Sequence, residues 1–218
     1  MFYRTADGHG LPFNPFKALV SPRPIGWIST ISADGEANLA PYSFFNGVSD
    51  SPPIVMFCPN GTHAEGGHKD TLRNIHETGE FVCNLSTWAL REEMNGTSSS
   101  TARRVDEFDL AGLERTPSEL VGPPRVKDSP AHLECRHLQT VTLPSTKPEG
   151  LNHMVLGEVI GIHIDESILA DGKIDMAALR PIARLGYFDY TVVDEVFAMH
   201  RPGKETPDAA QTLVEVDD

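Results

Sequence analysis

Lys69, Asp70 and Thr71 open the stretch KDTLRN, directly after the Gly-rich loop CPNGTHAEGGHKD (58–70). Leu72 and Ile75 fall three apart and Gly79 follows, so the spacing predicts a short helix over 70–78. Helix N-termini present unpaired N–H groups and a partial positive charge, which favour a phosphate. Lys69 would add a full charge and Thr71 a hydroxyl donor. Asp70 would repel a dianion, so its expected task is to accept a backbone N–H as a cap and shape the turn. An ordinary capped surface helix would use the same residues.

A second group lies upstream, in Ala40, Pro41, Tyr42, Ser43, Phe44, Phe45 and Asn46. A strand end that mixes backbone polar groups, one Ser, one Asn and aromatic faces suits a flat, hydrogen-bonding ligand. A flavin ring needs main-chain donors and acceptors at its edge and apolar contact on its face. The same run would also serve as a plain hairpin. His153, in LNHMVLGEV, stands at the head of a strand, where it could face a ligand or satisfy a turn carbonyl. His63 and His68, near Cys58, match no zinc spacing and read as solvated loop histidines, so no metal is expected. GxSxG, HExxH and a GxGxxG following a strand are all absent from the sequence.

These residues need a frame, and the stretch Arg23–Ser49 supplies its centre. It reads as two half-buried strands, with Ile25, Trp27, Ser29 and Ile31 on one parity, Asp34-Gly35 at the turn, and a second run over 37–45. Further strand runs fall at 54–58, 80–86, 131–143, 153–165 and 181–193. Helices are expected at 87–95 and 105–110, with a loop at 96–104 between them. Pro117, Pro123, Pro124 and Pro130 forbid regular structure across the segment they span. Strands without βαβ alternation predict a mainly β fold with short helices, an antiparallel barrel.

At 218 residues the chain fits one domain, over 1–200, followed by an acidic tail, 201–218, expected to be disordered. The net charge of −13 argues against nucleic acid and anionic membranes as partners. Cys58, Cys83 and Cys135 sit in apolar runs and read as buried thiols. The N-terminus lacks a cationic-then-apolar signal pattern and no window approaches 18 apolar residues, so a cytoplasmic protein is expected.

The pieces RPIGW-IST, DG, N-AP-S-FN, VS-x-x-PP, KDT-x-x-N, FV-x-NL, H-x-x-x-GEV and ARLGYFDY follow one another in that order. The series resembles the flavin reductase-like, FMN-binding split-barrel family, which includes flavoredoxins and the reductase components of two-component monooxygenases. The resemblance runs from about Pro22 to Tyr190. It implies a six-stranded antiparallel barrel of Greek-key type, working as a homodimer with FMN near the subunit interface. Pro41, Tyr42, Ser43, Phe44, Asn46 and Ser49 would line the ring and ribityl chain, with Ser29 as a further contact. Lys69 and Thr71 would take the phosphate while Asp70 braces the turn. His153 would stand on the nicotinamide side, as the catalytic position. The implied function is transfer of electrons from NADH or NADPH to FMN, with a monooxygenase as possible partner. The alternatives are an FMN-bound electron carrier or oxidase that ignores NAD(P)H, and a non-catalytic FMN-binding module. The insertion at 96–130 could cover the flavin or shape a partner site.

Overall fold

A computed structural model describes residues 1–147, 150–199 and 202. Almost all of the acidic tail over 201–218 lies outside the described residues. The fold is mainly β with short helices, as the strand runs predict. Its main sheet is antiparallel and is built from β1 (Gly26–Ile31), β2 (Ala37–Tyr42), β3 (Phe45–Asp50), β4 (Pro53–Phe57), β5 (Glu80–Leu85), β6 (Ala131–Leu143) and β7 (Asn152–Ile164). The strand order is β2-β1-β5-β6-β7-β4-β3.

That order forces the sheet to roll. Its two edges, β2 and β3, are consecutive in the chain, with only Ser43 and Phe44 between them. Laid flat, seven strands would hold the edges ~29 Å apart, at about 4.8 Å per spacing. The step from Tyr42 to Phe45 can span only ~10 Å. The glycine at Gly26 records the closure, because a Cβ there would sit 2.6 Å from the Phe45 ring. The long hairpin of β6 and β7 supplies the curl. Its register shifts at Leu156/Gly157 and Val159/Gly161, and such bulges bend a strand and increase its twist.

Seven segments stand where six were expected. The run read as one strand over 37–45 breaks after Tyr42, and its continuation becomes β3, the opposite edge, paired with β4. The last run likewise divides, into the hairpin of β8 (Ile182–Arg184) and β9 (Tyr190–Val192). The turn at Asp34-Gly35 forms as predicted, with Gly35 at φ +88°.

Burial differs from the half-buried expectation for β1, since both of its faces are covered. Ile28 points into the barrel with Phe57, Phe81, Val155 and the helix α1 (Asp70–Thr78). Trp27 points outward and is fully buried against Leu39, Met94, Phe108 and Val126. The helix α2 (Arg91–Gly96) and, from the insertion, α3 (Glu107–Ala111) and Val126 supply this second layer. Burying a side chain the size of Phe108 contributes about 2–3 kcal/mol toward holding the insertion on the sheet.

The helix α2 starts later than predicted because Thr87 pairs with Pro181 and the Trp88 N–H donates to Arg180 O. Asp106 sets the start of α3 by accepting from the Phe108 N–H at 2.9 Å. The Pro-rich crossing carries only a two-residue ribbon, Arg115–Thr116 with Arg125–Val126. It is tied down by the buried Glu134 carboxylate on β6, which accepts from the Glu119 and Leu120 N–H groups at 2.8 and 2.6 Å. The three cysteines are free, Cys83 and Cys135 buried and Cys58 half-buried. Among the described residues no helix is long and apolar enough to cross a membrane.

Candidate functional site

The start of α1 faces the end of β2 across a small polar cavity of about 120 Å³. Asn38, Pro41 and Tyr42 come from β2, Lys69, Asp70 and Thr71 from the helix start, and residues 97–101 with Glu107 from the insertion. Residues of the insertion therefore form one wall of this cavity.

Thr71 is the best-defined polar group there. Its buried hydroxyl oxygen accepts from Asn38 Nδ2 and from the Tyr42 hydroxyl, both at 2.9 Å. With both acceptor positions filled, its own proton remains to be donated. Burial pushes the Tyr42 phenol upward; the Thr71 hydrogen bond works against that, and the Glu107 and Asp70 charges reinforce it. Tyr42 therefore stays neutral and keeps its proton on Thr71.

Lys69 sits at the helix N-cap with its ammonium 5.7 Å from the Tyr42 ring. Among the described residues no carboxylate pairs with it within 4 Å. Burial pulls its pKa down. An anion in the cavity would reverse that shift and restore the charge. The first-turn N–H groups complete the cradle, since no side chain caps the helix. A half-buried cation, a hydroxyl proton and uncapped N–H groups on one wall fit a phosphate.

Asp70 corrects the expectation of a backbone cap. Its carboxylate instead bonds the Arg103 guanidinium and lies 3.5 Å from His63 Nε2 and 3.7 Å from Arg73. Arg103 also donates to Gly66 O and His68 O at 2.7 and 3.2 Å, tying the Gly-rich loop to the insertion. The charge of Asp70 is thus answered chiefly by Arg103 and Arg73, neither of which lines the cavity. His63 and His68 are half-buried in this contact, so the reading of them as solvated is also corrected. Among the described residues no metal-binding group of three or more His, Cys, Asp or Glu is found.

Sequence reasoning missed Glu107. Only 6% exposed, it caps the free edge of β2 by accepting from the Leu39 N–H at 3.0 Å. Burial raises its pKa, while the bonds from Leu39, from its own N–H and from Thr101 oppose the rise. No sequence pattern announces a carboxylate that reaches a strand edge 68 residues away.

A second cavity, of about 190 Å³, adjoins the first and shares Pro41 and Ser98 with it. Ser43 lines it, and the Phe44 ring lies beneath the Lys17 and Arg23 cations, 6.0 and 5.9 Å from them. Of the predicted contacts, then, Pro41, Tyr42, Ser43, Lys69, Asp70 and Thr71 come together at or between the cavities, with Phe44 beside them.

Ser29, Asn46, Ser49 and His153 do not join them within one chain. Ser29 is fully buried, donates to Pro124 O at 2.6 Å and accepts from Asn84 Nδ2 at 3.1 Å, so it holds the Pro-rich crossing. Asn46 and Ser49 lie exposed on β3, outside both cavities. His153 is 7% exposed, its ring 5.0 Å from that of His68, and lines neither cavity. Neither of its ring nitrogens has a hydrogen-bond partner. Burial, then the neighbouring His68 and His76, lowers its pKa, which favours the neutral ring.

Comparison with known proteins gives this geometry its context. A protein of Aquifex aeolicus is 38% identical over 169 residues, covering 77% of this chain and 83% of its own. The flavin-dependent monooxygenase reductase subunit HsaB of Mycobacterium tuberculosis is 28% identical over 83% of this chain and 77% of its own. The crystal structure of nitrilotriacetate monooxygenase component B from Bacillus cereus superposes with a TM-score of 0.78 at 30% identity, covering 88% of this chain and all of that one. Residues 19–191 match the flavin reductase like domain, and the chain belongs to that family.

Proposed function

We propose that this protein is an FMN-binding oxidoreductase that passes electrons from NADH or NADPH to flavin. The observation that carries the reading is the start of α1, where the unpaired Lys69 ammonium and the Thr71 hydroxyl converge on a cavity that leads to Pro41 and Ser43. The Lys69 charge, the Thr71 proton and the first-turn N–H groups would hold the FMN phosphate. Main-chain groups around Pro41 and Ser43 would hold the ring edge. Bound FMN would supply the hydride-accepting chemistry, so the protein's own task is positioning. His153, whose pKa shift favours the neutral ring and whose ring nitrogens have no hydrogen-bond partner among the described residues, would offer one nitrogen to the nicotinamide side.

Assembly as a homodimer belongs to the same proposal. Phe13, Phe16, Tyr187 and Phe188 border one exposed groove, with Phe188 89% exposed. Such a patch favours cover by a second copy. That copy would also give Asn46 and Ser49, exposed in one chain, something to face. The reductase-subunit relatives favour a monooxygenase as the consumer of reduced flavin.

Titration of the purified chain with FMN and with riboflavin tests the binding half of this reading. FMN should bind markedly tighter; equal affinity would remove the phosphate from the Lys69 site.

A further inference from the structure

The second cavity gathers positive charge that no carboxylate among the described residues answers. Lys17, Arg23 and Arg184 line it, and its lining includes no Asp or Glu. Among the described residues no carboxylate lies within 4 Å of any of the three. This is unexpected in a chain with 31 acidic and 18 basic residues.

Arg23 carries the argument because it is buried. It is 6% exposed, and its guanidinium donates to the carbonyls of Lys17, Val20 and Leu185. Its Nε is buried with no partner. Carbonyl dipoles satisfy donors but supply no full counter-charge, and an unpaired buried charge is costly. Burial and the nearby Arg184 both lower the Arg23 pKa, so the two cations feel one another. Arg184 is held in place by the Tyr190 hydroxyl and by Tyr187 O at 2.6 Å, with its guanidinium 4.3 Å from the Tyr190 ring centroid. Arg23 and Arg184 face one another as register partners on paired strands, and two like charges held close in this way are the arrangement that an anion between them would relieve.

We propose that this cavity is an anion subsite, in which Arg23, Arg184 and Lys17 receive a carboxylate or phosphate of the second substrate. Its ligand class follows from the cluster itself, while its place beside a bound flavin rests on the function proposed above. Tyr187 and Tyr190 at the rim suit a planar group attached to the anion.

Calorimetric titration of the full chain, flavin-free and FMN-saturated, with benzoate, inorganic phosphate and neutral benzamide tests this. Benzoate or phosphate should bind once per chain, and benzamide at least tenfold more weakly than benzoate. Arg184→Gln and Lys17→Gln, at residues less buried than Arg23, should each weaken the anion at least tenfold. Lys127→Gln, on the distant ribbon, should not. A preference for phosphate would point to a nicotinamide dinucleotide and a preference for benzoate to an organic acid; either upholds the subsite. Equal binding of benzoate and benzamide, or anion binding that survives Arg184→Gln and Lys17→Gln together, would overturn it. So would competition between the anion and FMN, because the charges would then serve the flavin. Failure to bind FMN would fell the flavin reading and leave the anion titration standing.

Discussion

The Arg103 guanidinium closes on the Asp70 carboxylate across 33 residues of chain, with Asp70 at the first residue of α1. The contact fastens the insertion to the helix start and answers the charge of the acidic residue that follows Lys69. Arg103→Gln should therefore weaken FMN by about ten- to a hundredfold, the loss of ~1–3 kcal/mol when a partly buried charge is unpaired. Adding Asp70→Asn should recover part of that loss, because the stranded negative charge is gone. Fluorescence titration of FMN on both variants checks it, and a double variant as weak as the single one would contradict the account.

Lys69 and Thr71 are expected to act on the phosphate alone. Replacing both with Ala should lower FMN affinity by about a hundred- to a thousandfold, two charge-assisted bonds at ~1.5–3 kcal/mol each with partial coupling. Riboflavin affinity should barely change. Equal losses for both ligands would place the phosphate elsewhere.

Much of this was legible in the sequence. The helix over 70–78, the long strands of β6 and β7 and the turn at Gly35 follow from apolar period and turn chemistry, which are local properties. Asp70 was misassigned because its partner, Arg103, lies in a stretch without periodicity. Glu107 was invisible for the same reason, since a strand edge gains its cap only through tertiary packing. Ser29 looked like a ligand contact on its strand, yet the Pro-rich crossing that consumes it approaches from 95 residues away. The break after Tyr42 follows from barrel closure, and closure has no local signature.

His153 separates catalysis from support. With both ring nitrogens unpartnered, His153→Ala removes no hydrogen bond of the side chain within the described fold. The melting temperature should therefore move little, while anaerobic flavin reduction slows by about ten- to a hundredfold. An unchanged rate would exclude the nicotinamide role.

Stability should fall on acidification in a window set by His132. Its ring is buried, its Nε2–H donates to Val126 O at 2.8 Å, and burial chiefly lowers its pKa to about 4. The unfolded chain binds this proton below about pH 6.5 and the folded chain does not, so stability declines from there toward pH 4. The loss from this group by pH 4 should be on the order of 3 kcal/mol. Glu134 adds a second decline at lower pH. Burial raises its pKa, but hydrogen bonds from Glu119, His163 and Leu120 hold it below the usual value. Urea unfolding from pH 7 to 4 checks the first window, and a flat profile there would show that His132 is protonated in the folded state.

The central claim is electron transfer from a nicotinamide to bound flavin, and anaerobic mixing tests it most directly. The FMN-loaded protein should lose its visible flavin absorbance on addition of NADH or NADPH, and regain it when air is admitted. Absorbance that survives both nicotinamides and bleaches only with dithionite would contradict the account.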